Sequence, residues 1–192
     1  MVKVGLTGNI GSGKSTVARI FEVFGAPVYH SDKRAKGFLL FPEVKNKLKN
    51  EFGDIVFAKD EIDRKKLANL VFNDKQAIAF LNSVIHPLVR KDFEDWCSRH
   101  SEEPYVVQEA AILFESGFYR FFDKTIVVSC PEEIAVKRVM KRDNATESEV
   151  KERMKNQWDQ EKKKKLADFI VFNDGEQLII PQVLQIHKGL RS

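Results

Sequence analysis

The chain has 192 residues, 43% hydrophobic and 31% charged, with a formal charge of +4, enough to bury one sizeable core and ordinary for a globular protein. The mild positive charge suits an anionic substrate and does not demand nucleic acid, which would call for a concentrated basic face. Cys97 and Cys130, the two cysteines, have the spacing of neither a zinc site nor a disulfide framework, no signal-peptide h-region precedes the first strand, and no apolar run approaches the ~20 residues of a membrane helix. A cytoplasmic protein with no membrane partner is expected.

Residues 2–6 are short, β-branched and apolar, as a buried parallel strand should be, and 15–24 read as a helix. Between them, Gly8-Asn9-Ile10-Gly11-Ser12-Gly13-Lys14-Ser15 fits G-x-x-x-x-G-K-[ST], the phosphate-binding loop. The strand–turn–helix context supports a nucleoside triphosphate site. Backbone N–H groups from Gly11 to Thr16 would cradle the phosphates at the positive end of the new helix. Lys14 would reach the β- and γ-phosphates, and the Ser15 hydroxyl would ligate Mg²⁺. A dinucleotide-type G-x-G-x-x-G fits less well, because Thr16 stands where its third glycine would fall.

Gly25-Ala26-Pro27 stops the first helix, and 28–30 form a second short strand. Asp32 follows that strand, on the sheet edge that carries Lys14 if the sheet is parallel. It is a candidate general base or a carboxylate holding Mg²⁺ through water; the plainer reading is that Asp32 or Ser31 caps the next helix. Residues 33–41 read as helical, and 42–100 as almost wholly helical. Pro42 suits a first turn, Asp63 and Asp74 are N-caps, and a kink or interruption is expected at Pro87. His86, just before it, is either structural or functional.

Strands follow at 105–107, 124–129 and 168–172. Glu109 and Glu115 flank the segment after the third strand, and either can serve the metal or the base. The helix at 131–142 carries Lys137, Arg138, Lys141 and Arg142 beside Asp143-Asn144-Ala145, a cationic patch suited to a lid that closes over ATP and excludes water. Thr146-x-x-Glu149 is a capping box opening a long polar helix to about residue 165. Its four consecutive lysines, 162–165, read as a solvated helix end. Residues 173–175 make a turn, and 176–190 a final helix. Helices separating the strands imply right-handed crossovers and a mostly parallel five-stranded sheet of the α/β class. The helical stretch of about 36–100 then reads as a substrate-binding insertion and about 138–165 as the lid.

In this order the pieces resemble the dephospho-CoA kinase family. The carrying residues are the loop Gly5–Thr16, Ser31-Asp32, Ile62-Asp63-Arg64, His86-Pro87, Ile112-Leu113-Phe114-Glu115, Arg138 and Arg142, Arg153 with Gln157, Ala167-Asp168 and Asn173-Asp174-Gly175. The resemblance implies a nucleoside-monophosphate-kinase-type core, with ATP phosphorylating the ribose 3′-hydroxyl of dephospho-CoA and Mg²⁺ as cofactor. It implies acceptor contacts at Asp32, Arg64, His86, Leu113 and Glu115, lid contacts to ATP at Arg138 and Arg142, and an adenine-side loop at Asn173 and Gly175. Asp32, Lys14 and Arg142 would be catalytic, and a monomer is expected. The chain departs from the family pattern at His30, where the first aspartate of D-A-D usually stands, leaving that role vacant or to Glu109. Glu109 stands for an aspartate, Ala111 for a proline and Asn9 for a glycine. A kinase for another nucleoside or nucleotide would share the loop and lid. A nucleic-acid-dependent ATPase or nucleotide-switched binding protein would need a wide basic surface or switch-like loops, and neither is visible.

Overall fold

The structure, a computed structural model, describes residues 1–191. Strand β1 (Val2–Thr7) leads through the glycine loop into α1 (Lys14–Val23), and β2 (Val28–His30) is followed at once by α2 (Ser31–Phe38) and α3 (Pro42–Phe52). A single 3₁₀ turn, Gly53–Val56, then opens a two-stranded antiparallel hairpin, β3 (Phe57–Ala58) and β4 (Glu61–Ile62), ahead of α4 (Arg64–Asn73) and α5 (Lys75–Ser98). After β5 (Tyr105–Glu109) come a 3₁₀ turn, Phe118–Phe121, β6 (Lys124–Ser129), α6 (Glu132–Asp143), α7 (Glu147–Lys155), α8 (Gln160–Leu166), β7 (Phe169–Phe172) and α9 (Ile179–Arg191).

The five long strands form one sheet in the order β2-β5-β1-β6-β7, with every pairing parallel. β1 is central, with β5 and then β2 on one side and β6 and then β7 on the other. This is the switch point at which α/β sheets place ligands, at the strands' carboxyl ends. Val4 and Leu6, with Tyr105, Val107, Ile126, Val128 and Val171, bury against Val17, Ala18 and Phe21 of α1 and Val183, Ile186 and Leu190 of α9. Each such side chain contributes roughly 1.5–3 kcal/mol by leaving water. Val106, Val107, Ile126, Val127 and Val128 sit at zero exposure on both faces of β5 and β6, as helix-covered parallel strands do.

The chain divides into two compact units, one made of Met1–His30 with the chain from His100 onward, the other of Ser31–Arg99. Within the second, α2 packs on α5. Its core gathers Phe38, Val44, Leu48, Leu67, Ile85, Val89, Phe93 and Trp96. Asp63 and Asp74 cap α4 and α5 as expected, each accepting two backbone N–H groups. Two expectations need correction. The stretch 42–100, almost wholly helical as expected, also holds the short β3 and β4, and α5 runs without the interruption expected at Pro87. The single helix expected over 146–165 is two, α7 and α8. Thr146 and Glu149 make the capping box of the first, and Asp159 caps the second by accepting from Glu161 N–H and Lys162 N–H.

Candidate active site

β1 delivers the glycine loop to the centre of the sheet's carboxyl edge. Gly13 takes a left-handed conformation (φ 95°) at the N-cap of α1, and Gly11 another (φ 79°). Both need glycine twice over, for φ and for space. A Cβ at Gly11 would collide with the Ala135 carbonyl oxygen on α6, and one at Gly13 with Asn173 Nδ2. The loop is closed by Ser12 N–H donating to Asn9 O at 3.0 Å, and α1 opens with Thr16 and Val17 N–H donating to Gly13 O. No side chain caps α1, and no acidic residue sits in its first turn. Its positive end is therefore uncompensated, as an anion site requires. Lys14, Ser15 and Thr16 form that first turn, the last two exposed. Beside the loop lies a cavity of about 590 Å³, lined by Asn9, Ser12, Ala135, Met154, Gln157 and Trp158 among others. The buried Ser12 Oγ and Asn9 Oδ1 have no hydrogen-bond partner.

The lid residues are less free than a cationic patch suggests. Arg138 turns inward, donating to Asn173 O (3.3 Å), Asn173 Oδ1 (3.2 Å) and Cys130 Sγ (3.3 Å). Asn173, 7% exposed, donates its Nδ2 to Ser12 O at 2.7 Å and so ties the end of β7 to the loop. The carboxamide is thus occupied in supporting the loop. Gly175 sits in the exposed turn that follows, with φ 91°. Arg142 reaches out and is held by Asp143 through two bonds of 2.7 and 3.0 Å, while Arg153 holds the same carboxylate at 3.0 Å. The Arg142 hydrogen bond holds the Asp143 carboxyl below its usual range, against a smaller opposing effect of burial.

Glu109 ends β5 at 8% side-chain exposure, opposite His30 in the β2–β5 register. His30 Nδ1 lies 3.3 Å from Glu109 Oε2, and Nε2 lies 3.1 Å from Glu22 Oε1 of α1. A neutral imidazole has one N–H, so only a ring protonated on both nitrogens donates to both carboxylates. Leu113 is 1% exposed, packed over Gly5 of β1, where a Cβ would lie 2.6 Å from its Cδ2; its surroundings give it a packing role. Glu115 Oε1 accepts Trp158 N–H at 2.9 Å and lies 2.6 Å from Lys163 Nζ, leaving Oε2 buried without a partner. Lys163 is fully buried, so the expectation of a solvated end for all four lysines is corrected at this position. Burial pushes its ammonium below the usual lysine value, against the pull of Glu115.

In the helical unit, Asp32 is exposed in the first turn of α2, two residues beyond β2. Arg64 opens α4 and donates to Lys36 O at 3.4 Å. His86 lies half-buried on α5, and burial lowers its pKa from the usual histidine value.

A family model described as dephospho-CoA kinase matches residues 2–178. The dephospho-CoA kinase of Bacteroides fragilis is 37% identical over 186 residues, 96% of this chain and 91% of that protein. The crystal structure of TT1252 from Thermus thermophilus superposes with a TM-score of 0.90 at 34% identity, covering 100% of this chain and 98% of that one. The dephospho-CoA kinase of Campylobacter jejuni gives 0.71 at 30% identity, covering 98% and 96%. The chain belongs to the dephospho-CoA kinase family. It is a kinase of the phosphate-binding-loop nucleotide-binding fold.

Within this dephospho-CoA kinase framework, residues to which the sequence assigned no site role now stand out. Glu22 completes the His30 bridge, and Lys163 completes Glu115. Gln157, read only as part of the resemblance, accepts the Ile10 N–H of the loop at 2.8 Å. No helix among the described residues is long and apolar enough to cross a membrane.

Proposed function

We propose that this kinase transfers the γ-phosphoryl group of ATP directly to the ribose 3′-hydroxyl of dephospho-CoA, giving CoA and ADP, the last step of coenzyme A synthesis. The observation that carries the phosphoryl-donor half of the reading is the uncapped start of α1 behind a loop whose Gly11 and Gly13 are locked against α6 and Asn173, and the family match over residues 2–178 supports the acceptor half. The loop N–H groups and Lys14 hold the β- and γ-phosphates, and Arg138 and Asn173 fix the loop from behind. Arg142 exchanges Asp143 for the transferring phosphate oxygens, which its planar fork can clamp. Asp32 takes the proton of the attacking hydroxyl. Arg64, His86 and the unpaired Oε2 of Glu115 serve the acceptor.

The donor set suits Mg²⁺ bound mainly through the nucleotide. Among the described residues no group of three or more His, Cys, Asp or Glu side chains is placed to hold a metal. Ser15 offers one hydroxyl at the loop, and Mg²⁺ ordinarily keeps several waters and takes its other ligands from substrate phosphates. Ser15 would hold it, with Asp32 or Glu109 through water, and the ion would neutralise charge on the β- and γ-oxygens. A cytoplasmic monomer that acts without nucleic acid is the accompanying reading.

The test is ADP release with ATP and Mg²⁺, comparing dephospho-CoA with AMP, adenosine and other nucleosides, and a Lys14→Ala control. Turnover with dephospho-CoA alone, giving CoA and lost in the control, is expected. Turnover only with another acceptor would overturn the acceptor assignment and keep the loop chemistry. ATP turnover stimulated by nucleic acid without a small acceptor would point to a different class of protein.

A further inference from the structure

Between α7 and α8 the chain leaves the helix for Asn156–Asp159, with neither glycine nor proline to break it. Its polar groups go instead to the phosphate loop and the segment beside it. Gln157 Oε1 accepts Ile10 N–H at 2.8 Å, and its Nε2 donates to Ala111 O at 3.4 Å. The Trp158 carbonyl accepts from Asn9 Nδ2 at 3.3 Å, and its N–H donates to Glu115 Oε1 at 2.9 Å. Lys162 Nζ lies 3.5 Å from the centre of the Trp158 ring, a cation–π contact that holds the indole in place.

We propose that Gln157 is a positioning residue for ATP, acting through the phosphate loop. The peptide between Asn9 and Ile10 lies between Gly8 and Gly11, where the backbone has more accessible conformations than elsewhere. Within the loop the one backbone bond across this turn is Ser12 N–H to Asn9 O. Gln157 supplies the tie from outside. By engaging Ile10 N–H it fixes that peptide, so that the N–H groups from Gly11 onward are already arranged when a polyphosphate arrives. An unordered loop would have to lose that freedom on binding, at the expense of affinity. Asn9 adds a second tie to the same segment through Trp158. Glycine, the usual residue at this place in the family pattern, has no side chain to make that bond. Because Gln157 sits where α7 passes into α8, it also joins the loop's geometry to the position of the lid helices.

This inference rests on the kinase reading above, and two readouts keep them separable. Gln157→Met has a side chain of similar length without hydrogen-bonding groups. It is expected to raise KM for ATP and the Kd for ADP, measured by calorimetry, by about tenfold, while KM for dephospho-CoA stays within about twofold; a tenfold change is ~1.4 kcal/mol, within the cost of a donor left unpaired. Asn9→Gly is expected to shift the same two constants in the same direction by about threefold, the scale of one neutral hydrogen bond. Unchanged ATP and ADP constants in Gln157→Met would overturn the inference. So would a parallel rise in both KM values with a matching loss of thermal stability, which would mark a merely structural role. If wild-type protein turns over no dephospho-CoA, the acceptor assignment fails, and ADP binding still decides the role of Gln157.

Discussion

Asp32 stands in the first turn of α2, exposed and free of any burden in the core, which separates its chemistry from its folding. Asp32→Asn is expected to keep the wild-type melting profile and lose at least ~100-fold in kcat, the range of a positioned general base. Near-normal turnover would remove Asp32 from the proton transfer. The sequence marked this residue because a carboxylate just past a parallel strand is a recognisable place. It could not show what His30 does, since the two partners come from α1 and from β5, 8 and 79 residues away. The position that seemed vacant of a carboxylate is filled by an imidazole that gathers two of them, Glu22 and Glu109. Asn173 carries the same lesson. Its motif pointed toward the nucleotide, and its carboxamide supports Ser12 from behind.

Among the elements, those whose signals are local were the legible ones. Asp63, Asp74 and the Thr146–Glu149 box each cap a helix where the sequence placed them, because a cap is made within three residues. The β3–β4 hairpin was invisible because its turn is Lys59-Asp60, both at positive φ (50° and 62°), without the glycine that usually announces such a turn. The break between α7 and α8 was hidden for a related reason, being held by bonds to distant residues and signalled locally by Asp159 alone. α8 also shows why four successive lysines cannot be sorted from sequence. One of them must face the sheet, and Glu115, on the segment after β5, makes that position Lys163. Lys163→Met is expected to destabilise the protein by about 3 kcal/mol, because it strands a mostly buried carboxylate, and Glu115→Gln added to it should recover most of the loss. Urea unfolding measures both. A single variant as stable as wild type would show that the pair contributes nothing to the fold.

For the molecule as a whole, the Glu22–His30–Glu109 bridge joins α1, β2 and β5 and gives stability a dependence on acid. The His30 hydrogen bond, opposed by partial burial and helped by Arg19, holds Glu22 below its ordinary value of 4.5. A carboxylate with a depressed folded pKa contributes stability that is fully present above its unfolded value and is lost as pH falls through the folded one. The urea midpoint of wild type should therefore exceed that of Glu22→Gln just above that ordinary value, and the margin should close as pH falls through the lowered one. A margin that widens toward acid would contradict the assignment. The order of the sheet has a further consequence, for synthesis. Val2 pairs with Tyr105 and Val4 with Lys124, so both neighbours of the first strand made are far downstream. Ser31–Arg99 contains its own hairpin and helices and leaves the ribosome whole while that strand still waits. The nascent chain must carry Val2–Thr7 unpaired until the segments around Tyr105 and Lys124 have been made, a long exposure to the wrong partner. Nucleotide can begin to hold the newborn enzyme together only after β5 and β6 have closed around the strand that was made first.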